Sequence, residues 1–506
     1  MKPDSNIDFH KPTRQSYVAI LMILYKIYYK VIKNFWILLI PFFMGKKNQT
    51  QYLVFALAML SIILTVLAII SFFRYKFYVK DNEFIVEKGV FSRKKIVIPF
   101  ERIQSINFKQ NIVHQIFGVV GLEIDTAGTA KKEFDFDAID IKTGKALRDY
   151  IFAHKQQKAT VAQENEENPT QNIPAKTIMR LNLSELVKIG LTQNHFKSFF
   201  LAFLFLSGIK NQIKQVGIDI ERYADMSEKD ILRLGFYVLI ELVIFAFVVI
   251  VIISIIRNIL KYYNLTLKRI PNGFNLQYGL FNRNEISVTD NKMQVLKWSD
   301  NLLRKILGLF NLQINLASSV AVKQKKSIVI PGSTIKDIRN IKEYYFPKGS
   351  SEVSIFHNID KYYLYRRIGI FVLIFLVIVS GIYISARYEP EIQEEIVRIM
   401  AVLVSGLIYF IITSYLKYRK FRFGLNDEVL QINTGIFGNN YALYYLYKLQ
   451  GVKITQSPVQ KRKNLANLTI FSSSGNNKII YINKQDAEKI RDFILFKIET
   501  DKREWM

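Results

Sequence analysis

No cysteine occurs in the 506 residues, which excludes thiol catalysis, disulfide scaffolding and cysteine-ligated zinc or iron–sulfur sites. Histidine is scarce. His10, His114, His154, His195 and His357 stand far apart in unlike contexts, with neither a close pair nor an H-E-x-x-H helix to hold a metal. No G-x-x-x-x-G-K-[ST] loop is present to cradle a phosphate, and no G-x-G-x-x-G follows a strand, so nucleotide chemistry by those routes is out. The first residues, MKPDSNIDFHKPTRQS, stay polar for too long to read as a signal peptide, and no small-residue cleavage site follows. Acidic residues are also in deficit, 42 against 70 basic, which leaves a net charge of +28. These gaps leave no constellation for catalysis, so the chain is expected to be no enzyme and to carry no cofactor and no metal.

Hydrophobic residues make up 50% and are clumped, as in membrane spans beside soluble domains. The charge admits a nucleic-acid binder or a membrane protein with cationic cytoplasmic faces. The second reading is preferred, because no nucleic-acid motif accompanies the charge. Tyr52 to Phe73 carries no charged residue and is long enough to cross a bilayer, which takes about 20 residues. Ile231–Ile256, which Glu241 interrupts, Ile368–Ala386 and Val397–Leu416 are further apolar runs read as spans, and a shorter apolar run covers Phe199–Ile209. Tyr17–Phe43 contains Lys26, Lys30 and Lys33, each costing about 2.5–3.5 kcal/mol near the centre of a span. Its first half is therefore expected to be an amphipathic helix at the interface, with a span entering near Asn34 and Phe35. LNLSELVKIGLTQNHF, from Leu181, reads as another interfacial helix.

One stretch returns twice. GVFSRKKIVIPFERIQSINFKQNIVHQIFGVVGLEI begins at Gly89, GLFNRNEISVTDNKMQVLKWSDNLLRKILGLFNLQI at Gly279, and GIFGNNYALYYLYKLQGVKITQSPVQKRKNLANLTI at Gly435. Laid together without a gap, Gly89, Gly279 and Gly435 coincide, as do Phe91, Phe281 and Phe437, and then Gln104, Gln294 and Gln450. Leu122, Leu312 and Leu468 align too, followed by Ile124, Ile314 and Ile470. Short β-branched and aromatic runs bounded by turn signals predict strands, and each copy closes on an amphipathic stretch that predicts one helix. The glycines supply turns, and the glutamine amides are expected to satisfy backbone groups at a strand end.

The expected fold class is membrane α-helical hairpins plus all-β or α+β domains, a two-helix anchor followed by a β domain, three times over. Residues 1–74 form the interfacial helix and first hairpin, 75–155 the first β domain, 156–176 a polar linker, and 177–260 the second hairpin. Residues 261–347, 348–416 and 417–500 form the second β domain, third hairpin and third β domain. Basic residues gather where spans meet β domains (Arg74 and Lys76, Arg257 and Lys261, Lys417 to Lys420), and the hairpin loop at 387–398 is acidic. The positive-inside rule then puts all three β domains in the cytoplasm and the chain, multi-pass, in the cell (inner) membrane.

The glycine–hydrophobic–phenylalanine turn, IPFERIQSI, the FG of HQIFGVVGLEI, the DTAG at Asp125–Gly128 and the GLTQNH at Gly190–His195 resemble the bacterial pleckstrin-homology (PH) membrane proteins of the YdbT type. The likeness extends over essentially the whole chain. Gly118 of the first copy is matched by Gly308, while the third has Lys463 and Asn464 there and joins by spacing. The resemblance implies a split β barrel with a capping helix in each repeat, and a membrane-bound adaptor, some members being linked to resistance against antimicrobial compounds.

The basic clusters Arg93-Lys94-Lys95 and Lys461-Arg462-Lys463 are the candidates for anionic lipid headgroups, each residue contributing roughly 1 kcal/mol near a charged surface. Glu241 is the candidate intramembrane acid. The expected function is a non-enzymatic membrane scaffold whose PH-like domains contact anionic phospholipid and another membrane protein or a second copy, exposed strand edges accepting a partner by strand addition. The alternative is transport or lipid handling through a cavity among the hairpins that contains Glu241.

Overall fold

The computed structural model describes residues 8–35, 47–126, 134–161, 176–193, 195, 200, 228–270, 273–317, 327–346, 352–388, 390–501 and 503. Phe199–Ile209, apart from Phe200, and most of the expected linker lie outside the described residues.

The chain opens with α1 (Val18–Phe35) and α2 (Lys47–Arg74). Strands β1 (Lys76–Lys80), β2 (Glu83–Lys88), β3 (Lys94–Pro99) and β4 (Ile103–Gln110) follow, then the short helix α3 (Ile112–Ile116), β5 (Val119–Thr126), β6 (Phe134–Asp140) and α4 (Ile141–Val161). After β7 (Lys176–Arg180), α5 (Leu183–Leu191) and α6 (Glu228–Tyr262), the succession recurs. It runs through β8 (Thr266–Ile270), β9 (Gly273–Tyr278), β10 (Arg283–Thr289), β11 (Met293–Ser299), α7 (Leu302–Ile306), β12 (Phe310–Leu316), β13 (Ser327–Ser333) and α8 (Ile335–Tyr345). A third passage follows β14 (His357–Asn358), α9 (Tyr362–Ser385) and α10 (Pro390–Lys420). It comprises β15 (Arg422–Leu425), β16 (Val429–Thr434), β17 (Asn440–Tyr445), β18 (Leu449–Thr455), α11 (Pro458–Arg462), β19 (Leu465–Ser472), β20 (Asn477–Asn483) and α12 (Lys484–Thr500).

Four helices among the described residues are long and apolar enough to cross a membrane, over Leu57–Arg74, Ile244–Tyr262, Tyr362–Ser385 and Glu395–Lys420. α9 and α10 are adjacent arms, with Phe371 stacked on Phe410 at 3.3 Å and the Arg367 guanidinium over the same ring. α1, expected at the interface, runs antiparallel along α2: Tyr17 lies against Phe72, and the Tyr28 hydroxyl bonds Ser61. Its Ala19 joins Phe72, Val119 and Ala138 in a small core shared by helix and sheet. Lys26 bonds Asp137 of β6, so at least one lysine of this helix has a carboxylate partner on the β region.

The molecule divides into two compact units: Met1–Arg180 with Asn264–Thr289, and Leu181–Tyr263 with Asp290–Met506. In the first, β1-β2-β3 form one antiparallel sheet and β6-β5-β4-β10-β9-β8-β7 another. In the second unit, β13-β12-β11-β17-β16-β15-β14 form one sheet and β18-β19-β20 another. The middle passage is thus shared. Its first three strands continue the sheet of the first β region through β4 and β10, and its last three continue that of the third through β11 and β17. In the first region Phe77, Phe84 and Ile98 of one sheet meet Ile106, Leu122 and Phe136 of the other, and α4 closes the core with Leu147 and Ile151. The third region repeats this, with Ala487 and Ile494 of α12 as the lid. The aligned leucines and isoleucines Leu122, Leu312, Leu468, Ile124, Ile314 and Ile470 are all buried.

The repeat positions have separate physical reasons. At Gly89 and Gly279, φ is +117° and +109°, and an added Cβ would lie 2.0 Å from the carbonyl oxygen three residues on. Only glycine fits. Gly118 and Gly308 end their short helices at φ +64°, and Asn464 takes the same place in the third copy at φ +55°. Asparagine is a side chain that tolerates the left-handed region, which reconciles the missing glycine with the repeat. Gln104, Gln294 and Gln450 each sit where the register of strand four shifts against strand five, between Ile103 and Ser105, Met293 and Val295, and Leu449 and Gly451. They are the extra residues of three equivalent β-bulges.

Lys448 was not singled out by the sequence. It is buried at the joint of β11 and β17 and donates to the carbonyls of Asp290, Asn291 and Met293 at 3.0, 3.1 and 2.9 Å. The rings of Tyr345, Tyr445 and Tyr447 surround the ammonium within about 6 Å. Burial pulls its pKa down to about 8, with nearby Asp290 opposing and Arg503 adding to the fall. The unfolded value is near 10.4. Below about pH 8 both states hold the proton and the burial cost is carried in full, whereas between about 8 and 10.4 the unfolded chain holds more protons, so stability rises with pH. Burial shifts Tyr345 and Tyr445 upward, and this reverses the slope once unfolded phenols ionise above about pH 10. Thermal unfolding of the detergent-solubilised protein is expected to move to higher temperature from pH 7.5 to 9.5, and Lys448→Met to flatten that rise.

Candidate membrane-facing surface

Two of the apolar helices end on a basic residue that holds a β turn. Arg74 at the end of α2 donates to the Val90 carbonyl at 2.6 Å. Lys420 at the end of α10 donates to the carbonyls of Phe437 and Gly438 at 3.1 and 3.2 Å. These are the turns between strands two and three, and they carry the repeat phenylalanines. Phe91 is 91% exposed, and Phe281 and Phe437 are also exposed, so these residues are not core positions. Arg93, Lys94 and Lys95 follow the first of these turns, all exposed.

Short helices border two of the turns between strands two and three. Asp300, one residue before the cap of α7, accepts from the Asn439 amide at 2.6 Å and donates its own to the Asn439 carbonyl at 3.0 Å. The turn held by Lys420 therefore abuts the start of α7. In the other unit, Gln115 of α3 donates to the carbonyls of Leu280 and Phe281 at 3.0 and 2.9 Å. α3 shows Ile112, Val113, Ile116 and Phe117 to the outside, and α7 shows Leu302, Leu303, Ile306 and Leu307 at equivalent places. Ile116 is 73% and Ile306 80% exposed, so each short helix presents its own group of exposed apolar side chains. α11 has Val459, Arg462 and Lys463 at these places, with Lys461 beside them, all exposed.

Each short helix is fixed by its cap and by one buried polar side chain. Asn111, Asn301 and Ser457 accept from the amides of His114, Arg304 and Gln460. The His114 ring lies 2.6 Å from Asn111 Oδ1 and 2.7 Å from the Asp137 carbonyl, so both nitrogens are engaged structurally. Arg304 donates to the Thr192 hydroxyl at 3.4 Å, and Asn301 to the Thr192 carbonyl at 2.7 Å, anchoring α7 on the end of α5. Burial lowers the Arg304 pKa without removing its charge. Gln460 and Asn467 exchange amide bonds at 3.0 and 3.1 Å. The pattern N-x-x-H, N-x-x-R and S-x-x-Q was available in the sequence as a capping signal. The outward aim of the apolar residues was not, because an apolar residue on a short helix reads the same whether it packs inward or faces outward.

Glu241 is exposed on α6, within the apolar run Ile231–Ile256. No group of three or more potential metal ligands occurs among the described residues. An open cleft of about 690 Å³ is lined by His357, Asp360, Lys361, Asp486 and Lys489 among others, and one Asp360 carboxylate oxygen already accepts from the Tyr362 amide.

Comparison with known proteins follows the same division. The family model described as a bacterial PH domain matches three times, over residues 30–155, 229–348 and 368–497. The chain is 24% identical to the UPF0699 transmembrane protein YdbT of Bacillus subtilis (strain 168) over 502 residues, covering 96% of this chain and 97% of that one. It is also similar to the UPF0699 transmembrane protein YdbS of the same organism, 23% identical over 92 residues, 18% of this chain and 58% of that protein. Four apolar helices, antiparallel β regions and three family matches agree: the chain is a membrane protein of the bacterial PH-domain family, of the YdbT type.

Proposed function

We propose that the chain is a non-enzymatic membrane scaffold, three PH-like split barrels each behind a two-helix anchor, held on the cytoplasmic side of the inner membrane. The observation that carries this reading is the set of exposed apolar side chains on α7, whose start abuts the turn held by Lys420 at the basic end of a span, with an equivalent exposed set on α3. Apolar residues at such a level enter the headgroup region, and cations beside them meet anionic lipid. Arg93, Lys94 and Lys95 serve the first region in this way, and Lys461, Arg462 and Lys463 take over in the third, where the short helix is cationic.

Three measurements bear on it. A bimane fluorophore on Ile306→Cys, in a chain that has no other cysteine, is expected to be quenched by lipids brominated near the headgroup. Quenching only by aqueous iodide would remove the surface from the bilayer. Replacing Lys461, Arg462 and Lys463 by glutamine is expected to lower the phosphatidylglycerol retained on gentle purification, at roughly 1 kcal/mol per residue. An unchanged lipid ratio would withdraw those three residues. Affinity purification from native membranes, with proteins and lipids both identified, tests the scaffold itself, which requires a stoichiometric protein partner. The transport or lipid-handling alternative would place its chemistry at Glu241. Glu241→Gln should leave a scaffold's interactions intact and abolish a transporter's flux.

A further inference from the structure

The two internal strand junctions are one junction used twice. Gln110 of β4 faces Arg283 of β10, Lys109 faces Asn284 and Phe108 faces Glu285. Advance each residue to the same place in the next repeat and the pairs become Asp300 with Asn439, Ser299 with Asn440 and Trp298 with Tyr441. The last two are the observed register of β11 on β17, and Asp300 bonds Asn439 through backbone and side chain. Strand four of one repeat therefore receives strand three of the next at a fixed offset. Different side chains fill it: Glu285 is paired with Arg148 at 2.8 Å, whereas Trp298 and Tyr441 stack at 5.2 Å. What the two junctions share is the backbone ladder.

A chain with three repeats and two such junctions leaves one strand three and one strand four over. These are β3 and β18, and among the described residues each pairs on one side only, with β2 and with β19. β6, β13 and β20 end their sheets in all three repeats alike, whereas the outer sides of the first strands are covered. Thr13 and Phe9 bond the outer side of β1, β7 covers β8 and β14 covers β15. The missing partner shows in burial. Val97 of β3 is 41% exposed, while Leu443, at the same repeat position in β17, is fully buried in its junction with Leu296. Val452 of β18 holds the position of Leu296 and is only half-buried.

We propose that β18 of one copy pairs with β3 of a second copy at this same offset, placing Val452 opposite Val97, Ile454 opposite Lys95 and Thr455 opposite Lys94. The contact is head-to-tail, so it repeats without closing unless the rotation forms a ring. Lysine-rich edges are how proteins keep strands unpaired in solution. β3 begins with Lys94 and Lys95, and β18 carries exposed Lys453. Association therefore needs screening, and salt or anionic headgroups supply it.

The test uses the full-length protein in vesicles of phosphatidylethanolamine and phosphatidylglycerol. Two differently tagged populations, Val97→Cys and Val452→Cys, are mixed and treated with a short bismaleimide. The expected product is a dimer bearing both tags, increasing with phosphatidylglycerol content and absent when Val97→Cys is mixed with Gln456→Cys. Ser299→Cys with Asn440→Cys in one chain, already opposite each other, shows that the reagent reports this ladder. Lys94→Cys with Thr455→Cys is the second pair should the valine positions disturb folding. Dimers carrying a single tag only, closure within one chain in a double variant, capture of a different protein instead, or no product while both thiols remain reactive would each overturn the proposal.

Discussion

Leu443→Asp is expected to unfasten the third β region from the strands of the second. Leu443 and its opposite number Leu296 are both fully buried where β17 meets β11. A carboxylate there has no cation to pair with across the strand, and leaving it buried costs on the order of 3–5 kcal/mol. That is a large part of the stability of a domain. Limited proteolysis of the protein in detergent should show new cleavage near residues 435–445, and the unfolding midpoint should fall. Leu443→Val, which removes only one methylene from the same site, is expected to cost about 1 kcal/mol and to leave the digestion pattern unchanged. If aspartate behaved like valine, the strand pairing would not be what buries this position.

Gly279→Val carries the second large effect. The backbone there has φ +109°, and the new Cβ would fall 2.0 Å from the Asn282 carbonyl, a backbone atom that cannot rotate away. Left-handed strain for a β-branched residue and the displaced turn together cost about 3 kcal/mol or more. Because the adjacent Leu280 and Phe281 carbonyls accept from Gln115, the damage should extend to the border of α3. Gly118→Asn supplies the contrast. Nothing lies within 4 Å of a Cβ at Gly118, and Asn464 already adopts that conformation in the third repeat. Its effect on the unfolding midpoint should be small. A comparable loss from both substitutions would show that glycine content, and not turn geometry, sets the result.

The strand succession was legible because side-chain alternation and turn residues are local properties, and an ungapped repeat multiplies them. The three alignments of glycine, leucine and isoleucine land on turns and core as chemistry requires. The glutamines were placed at a strand end, and their coincidence with a bulge adds the reason they occur at one fixed offset. Other features were hidden because they depend on partners distant in sequence. Nothing in KKIVIP or NYALYY says which outer edge is covered, yet Val97 is exposed and Leu443 is not. Lys448 resembled any other surface lysine until Asp290, Met293 and Tyr345 closed around it. The outward aim of Phe91 and Ile116 was not written in the local pattern either. Apolar residues at a membrane border obey the same hydropathy as apolar residues in a core, so the sequence pattern alone does not separate the two.

The central structural claim is that consecutive repeats share sheets, strand four of one against strand three of the next. Hydrogen–deuterium exchange of the intact protein in nanodiscs, resolved to peptides covering Met293–Ser299 and Asn440–Tyr445, tests it most directly. Strands flanked on both sides hold every amide, so β11 and β17 should exchange as slowly as the interior strands β12 and β16. Alternate amides of β11 and β17 exchanging at the fast rate of open edges, while β12 and β16 stay protected, would contradict it.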